Sequence, residues 1–184
     1  YVPDEIDYLF RLNANESPFN ETRKILTSLF EKNNQKYLKS NSINRYPDPS
    51  QKNLRKKVSN FHKVNLNQIV FGNGSDELIL YLLLTLTGKT SKVMYLEPSF
   101  SMYKILTAAI GLKGVKVELD NNFQIDIKTT ILKIRKEDPD LIFVPTPNNP
   151  TGKILPKKLL DSIIQTAKEH DLYVLSDEIY EKYS

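Results

Sequence analysis

Four places in this chain of 184 residues gather side chains able to hold a small anionic ligand, and each follows a short apolar run. In Pro147-Asn148-Asn149-Pro150-Thr151-Gly152 the Asn149 amide offers a donor and an acceptor, and Asn148 offers the same. Gly72-Asn73-Gly74-Ser75-Asp76-Glu77 is a glycine turn opening a helix, where free backbone N–H groups and the positive end of the helix dipole suit a phosphate. Ser75 adds a hydroxyl. Phe100 supplies an aromatic face, Asp177 a carboxylate and Tyr180 a phenol. Plainer uses exist for the same residues. Asn-Pro-Thr-Gly is ordinary turn chemistry, and Ser75 and Asp76 suffice to start a helix.

The elements that must position these groups follow from periodicity. Residues 69–71, 92–96, 115–119, 141–144 and 172–175 are short runs rich in strand formers, and the run at 141–144 is continuously apolar, as in a buried parallel strand. Helical patterns lie between them: from Ser75 to Leu86, from the Phe100 loop to Ala109, at 127–135 and at 156–170. The alternation predicts an α/β fold, a mostly parallel sheet flanked by helices. Ligands of such sheets bind outside the carboxyl ends of the strands, which is where Gly74, Phe100, Asn149, Asp177 and Tyr180 fall. Upstream, residues 1–20 read as an arm rather than a periodic element, and 21–32 as a helix. Asn44-Arg45-Tyr46-Pro47-Asp48-Pro49 is a proline-stiffened loop presenting Tyr46, whose ring would equally serve by packing on a neighbour. Ser50 is placed to cap a basic helix with Leu54, Val58 and Phe61 inward.

Composition narrows the function classes. The net charge of +4 is spread over lysine-rich helical faces such as 52–57, with no aromatic and basic interleaving, so a nucleic-acid partner is not expected. No cysteine is present, and His62 and His170 stand far apart without a second ligand at metal-binding spacing, so no metal is expected and both histidines read as surface residues. The longest apolar run, 78–86, is too short to span a bilayer; no membrane is expected, and the cytoplasm is the default compartment. Three local matches fail. Gly88-Lys89-Thr90 lacks the earlier glycine of a phosphate-binding loop, Leu83 standing in its place. Ser101-Met102-Tyr103-Lys104 has no Ser-Asp-Asn or Lys-Thr-Gly to accompany it. Gly72-x-Gly74-x-x-Glu77 departs from the dinucleotide fingerprint at its last position, although Glu97 at the end of the next strand keeps a nicotinamide-binding domain as the alternative.

Five motifs in order carry a resemblance: Leu-Asn-Ala-Asn-Glu-Ser-Pro at 12–18, Asn-Arg-Tyr-Pro-Asp-Pro at 44–49, Gly-Asn-Gly-Ser-Asp-Glu at 72–77, Pro-Asn-Asn-Pro-Thr-Gly at 147–152 and Ser-Asp-Glu-Ile-Tyr at 176–180. Together they resemble the pyridoxal-phosphate-dependent aminotransferases of the aspartate aminotransferase superfold, in particular the histidinol-phosphate branch. A decarboxylase on the same fold has similar motifs. The resemblance implies an N-terminal arm (1–20), a large cofactor-binding domain (21–184, incomplete) of fold type I, and a small C-terminal domain lying outside the chain. It implies a homodimer with pyridoxal 5'-phosphate, exchanging an amino group between an amino acid or amino-alcohol phosphate and a 2-oxo acid in amino-acid (histidine) biosynthesis. By position, Gly74, Ser75 and Asp76 would surround the cofactor phosphate, and Phe100, where the family often has tyrosine, would stack on the ring. Asn149 and Tyr180 would hydrogen-bond the ring's phenolic oxygen, Asp177 would pair with the ring nitrogen, Tyr46 would reach the partner subunit's cofactor phosphate, and Asn15 and Glu16 would cover the substrate entrance. The family's Schiff-base lysine, in a Ser-Lys motif, has no match here. The chain is therefore expected to be truncated, and these residues alone inactive or a non-catalytic fragment.

Overall fold

The computed structural model describes residue 15, residues 21–30 and residues 46–183. The expectations for Glu16, for the rest of the arm and for residues 31, 32, 44 and 45 lie outside the described residues; Asn15 is exposed with φ 51°. The chain divides into two compact units, Tyr1–Ile69 and Val70–Ser184.

In the first unit, α1 spans Glu21–Phe30 and α2 spans Lys52–His62. Ser50 does not cap α2. The cap position is Gln51, in the left-handed region at φ 49°, and Asp48 organises the turn instead by accepting from Ser50 N (2.9 Å), Ser50 Oγ (2.6 Å) and Lys52 N (3.2 Å). Two residues of spacing favour the aspartate, whose carboxylate reaches forward to the backbone as a short turn closes. The face expected inward is partly covered: Val58 is half-buried, but Leu54 is 51% and Phe61 75% exposed.

The second unit contains the sheet. Its elements are α3 (Ser75–Leu86), β1 (Lys92–Glu97), α4 (Ser101–Ala109), β2 (Lys113–Glu118), α5 (Ile127–Glu137), β3 (Leu141–Pro145), α6 (Lys157–His170) and β4 (Tyr173–Asp177). The strands are all parallel in the order β2-β1-β3-β4: β1 to β2 steps one way, β2 to β3 crosses back over β1, and β3 to β4 continues outward, so the order reverses between β1 and β3. That reversal opens a crevice at the carboxyl ends of the central strands. The run at 69–71 does not form a strand. Ile69 has extended backbone angles, φ −114° and ψ 128°, but no described strand pairs with it, and extension without a ladder partner makes no sheet.

Alternation along the central strands divides the core between two faces. Met94, Leu96, Ile142 and Val144 pack with Ile134 of α5 and Leu159 and Ile163 of α6, all buried. Val93, Tyr95, Leu141 and Phe143 pack on the other face with Ile79 and Leu83 of α3 and Tyr103 of α4. Both faces of β3 are thus covered, which explains its unbroken apolar run. Two helix starts have a local cause: Asp126 accepts from Thr129 N (2.7 Å) to cap α5, whereas α3 opens from Gly74, whose φ of 86° suits glycine. Ser75 and Asp76 therefore do not act as side-chain caps. Among the described residues no helix is long and apolar enough to cross a membrane, and no group of three His, Asp or Glu could hold a metal.

Candidate active site

Five of the residues singled out for their chemistry line one cleft at the strand ends: Ser75, Phe100, Asn149, Asp177 and Tyr180. The cleft measures about 360 Å³ including the part that merges with solvent, and Tyr103, Pro145, Pro147 and Ile179 complete its lining. Asp177 is the one charged residue among the described lining residues. Ser75 is the first residue of α3, so the positive end of a 12-residue helix opens on the same cleft as the carboxylate. A pocket with a donor-rich, positive edge and a separate anionic acceptor suits a ligand carrying an anionic group and, elsewhere, a protonated nitrogen.

Other expected residues fall differently. Gly74 and Asp76 flank Ser75 in the chain without lining the cleft. A Cβ at Gly72 would meet Leu78 Cδ2 at 2.7 Å, so this first glycine is needed for packing against α3. Tyr46 is fully exposed and belongs to the first unit. Asn148 is not a ligand group but an internal clasp. It is 2% exposed; its Nδ2 donates to Pro98 O (3.1 Å) and Thr151 Oγ1 (2.9 Å), and its Oδ1 accepts from Ser99 Oγ (2.6 Å). The loop after β3 is closed further by Asn148 N to Lys153 O (2.8 Å) and Gly152 N to Asn148 O (2.7 Å). Of two adjacent asparagines, the first therefore ties the loop after β3 to the loop after β1, and the second reaches the cleft.

Sequence reasoning passed over Tyr103. It is 1% exposed, stacks on Phe143 with ring centroids 4.4 Å apart and meets Phe100 edge-on at 5.6 Å. Its hydroxyl donates to Asp177 Oδ2 at 2.5 Å. Burial, reinforced by that bond and by the carboxylate's charge, pushes the phenol far above its usual value. The available signal was the spacing Phe100-x-x-Tyr103, which puts both rings on one side of α4. His170 faces Asp138 Oδ1 through Nδ1 at 3.1 Å, in keeping with a surface residue.

Comparison with known proteins places this geometry in context. Residues 8–184 match the family described as aminotransferase class I and II. The chain is 33% identical over 183 residues to histidinol-phosphate aminotransferase of Thermoanaerobacter sp. (strain X514), covering 100% of this chain and 50% of that protein. Among solved structures, histidinol-phosphate aminotransferase from Clostridium acetobutylicum aligns with TM-score 0.64 and 31% identity, covering 74% of this chain and 39% of that one. The Sinorhizobium meliloti protein of the same name, solved in complex with pyridoxal-5'-phosphate, aligns with TM-score 0.68 at 19% identity over 76% and 38%. At that identity the likeness concerns the fold. The chain spans about half the length of the curated relatives it matches.

Proposed function

The chain belongs to the aminotransferase class I and II family, and from that premise we propose that it forms the arm (1–20) and most of the large domain (21–184) of a pyridoxal-phosphate-dependent aminotransferase. The observation that carries the reading is the convergence of Ser75, Phe100, Asn149, Asp177 and Tyr180, from four separate stretches, on one cleft. The residues fit the group. The α3 N-terminus with the Ser75 hydroxyl suits the phosphate, and the phenylalanine face of Phe100 suits the flat ring. Asn149 and Tyr180 would hydrogen-bond the phenolic oxygen, and the Asp177 carboxylate would hold the ring nitrogen protonated. When bound, the cofactor would supply an acceptor for the electrons released as the amino acid loses its α-proton. Asp177 would make that acceptor effective by keeping a negative charge beside the nitrogen's proton. The Asn148 clasp keeps Phe100 and Asn149 at a common edge, and Pro145 and Pro147 wall the cleft without adding competing polar groups.

The substrates we propose are an amino acid or amino-alcohol phosphate as donor and a 2-oxo acid as acceptor, handled by a cytoplasmic homodimer. The test uses the intact protein that contains these residues, incubated with pyridoxal phosphate, 2-oxoglutarate and either histidinol phosphate or a panel of amino acids. Glutamate should form, fastest with the amino-alcohol phosphate. Carbon dioxide release without amino transfer would overturn the reading in favour of a decarboxylase, and no reaction with any donor would overturn it altogether.

A shared site is part of the proposal. Tyr46, fully exposed on its proline-flanked turn, is assigned to the cofactor phosphate of the partner subunit. Mixing two inactive full-length variants, Tyr46→Ala and one lacking the Schiff-base lysine, should restore activity in heterodimers that carry one complete site. Verified heterodimers with no recovery would count against a tyrosine acting in trans.

A further inference from the structure

We propose that Tyr103 is a positioning residue that sets the orientation in which Asp177 meets its ligand. The inference rests on the reading of Asp177 as the partner of a protonated ring nitrogen. Tyr103 comes from the first turn of α4 and Asp177 from the last position of β4, 74 residues apart in the chain, and they meet through a 2.5 Å hydrogen bond. That length is at the short end for an O–H donating to a carboxylate, the charge-assisted class of bond.

A carboxylate offers about four acceptor positions on two oxygens. At Asp177 the protein engages both oxygens: Oδ2 takes the Tyr103 hydroxyl, and Oδ1 takes Ile179 N at 3.2 Å. Two donors on different oxygens stop the carboxylate plane from turning about its terminal torsion, which is otherwise broad and roughly two-fold. Each oxygen keeps acceptor capacity for the cleft. Of the two donors Tyr103 is the firmer. The Ile179 bond is longer and local to the exposed segment after β4, whereas the tyrosine ring is 1% exposed and clamped between the Phe143 face and the Phe100 edge. Because burial pushes its phenol far upward, Tyr103 remains a donor at neutral pH and adds no second negative charge. The phenylalanine that flanks the cleft also touches the ring that aims the carboxylate, so stacking and nitrogen recognition share one support.

Binding by the intact protein separates this role from a merely structural one. The ligands are pyridoxal phosphate and its 1-deaza analogue, in which C–H replaces the ring nitrogen, and the readout is the ratio of their dissociation constants. Tyr103→Phe keeps the ring that stacks on Phe143 and removes only the hydroxyl. It should shrink the preference for the nitrogen-containing ligand by about tenfold, the effect of one hydrogen bond to a charged group, while affinity for the analogue stays unchanged. Asp177→Asn should shrink it at least as much. A general loosening of the pocket would weaken both ligands alike and leave the ratio at the wild-type value, which overturns the proposal. If Asp177→Asn leaves the ratio unchanged, the ring-nitrogen assignment itself fails and the inference with it. If Asp177→Asn lowers the ratio and Tyr103→Phe does not, that assignment stands and the role of Tyr103 is refuted. A second measurement needs no folded Tyr103 variant. The wild-type protein should show a slowly exchanging, downfield hydroxyl proton resonance that moves upfield in Asp177→Asn, and no such resonance would overturn the contact.

Discussion

Asp177→Asn in the intact protein is expected to leave the cofactor bound while amino transfer falls by about 10²- to 10³-fold, the usual effect of removing one preorganised electrostatic partner from a reacting centre. The two outcomes separate because different residues carry them. On the proposed reading affinity would be distributed over the helix start at Ser75, the Phe100 face and the Asn149 and Tyr180 groups, all lining the same cleft. A hydrogen bond to a charged group contributes only about 1.5–3 kcal/mol to binding, which a saturating cofactor concentration overcomes. Stabilising a proton on the ring nitrogen rests on one negative charge, and Asp177 is the one charged group among the described lining residues. An asparagine is nearly isosteric and keeps one oxygen able to accept from Tyr103, so the main change is the lost charge, at the cost of the longer bond from Ile179 N. Cofactor stoichiometry and turnover measured on one preparation decide the matter. Turnover at the wild-type level would remove Asp177 from the chemistry.

Asn148→Leu is expected to cost about 4–6 kcal/mol of stability, although the side chain is absent from the cleft. Three hydrogen bonds at about 1 kcal/mol each are lost, and the Pro98 carbonyl or Ser99 hydroxyl left without its partner adds about 1–3 kcal/mol. Leucine is close in volume, so the loss is of polar pairing rather than of packing. Thr151→Val, which removes one acceptor of the same amide, should cost about 1 kcal/mol. Denaturant unfolding of the three proteins side by side would test this, with a loss below 1 kcal/mol for Asn148→Leu refuting the clasp. The same variant should also weaken cofactor binding, because Ser99 and Asn148 directly precede Phe100 and Asn149 in their loops.

Much of the site was legible in the residues because each group announces itself locally. A glycine turn before Ser75 and a polar group after an apolar run are signals contained within a few positions. The alternation of short strand-forming runs with helical patterns likewise revealed the α/β class, since period and burial are properties of a single segment. Asp177 and Tyr180 could be assigned to the same sheet edge as Asn149 on parallel-sheet logic alone, and the register, with Pro145 opposite Asp177, agrees. Family motifs then attached roles to residues whose own chemistry left alternatives open.

Tertiary structure decided whatever depends on partners distant in the chain. The run at 69–71 has strand-forming residues yet finds no ladder among the described strands, and α2 leaves Leu54 and Phe61 of its apolar face exposed. No local signal separates Asn148 from Asn149. Their opposite uses follow from the loop after β1, whose Pro98 and Ser99 lie 50 and 49 positions away. Tyr103 reads in sequence as one more aromatic of an amphipathic helix, and only the order β2-β1-β3-β4 brings the helix after β1 to a carboxylate 74 residues downstream at the end of β4. Residue types and spacing thus determined which groups reach the strand ends, because strand polarity and side-chain period act over a few residues. The pairing of strands selected which of those groups line the cleft and which hold the others in place, because that pairing is a balance of contacts across the whole sheet.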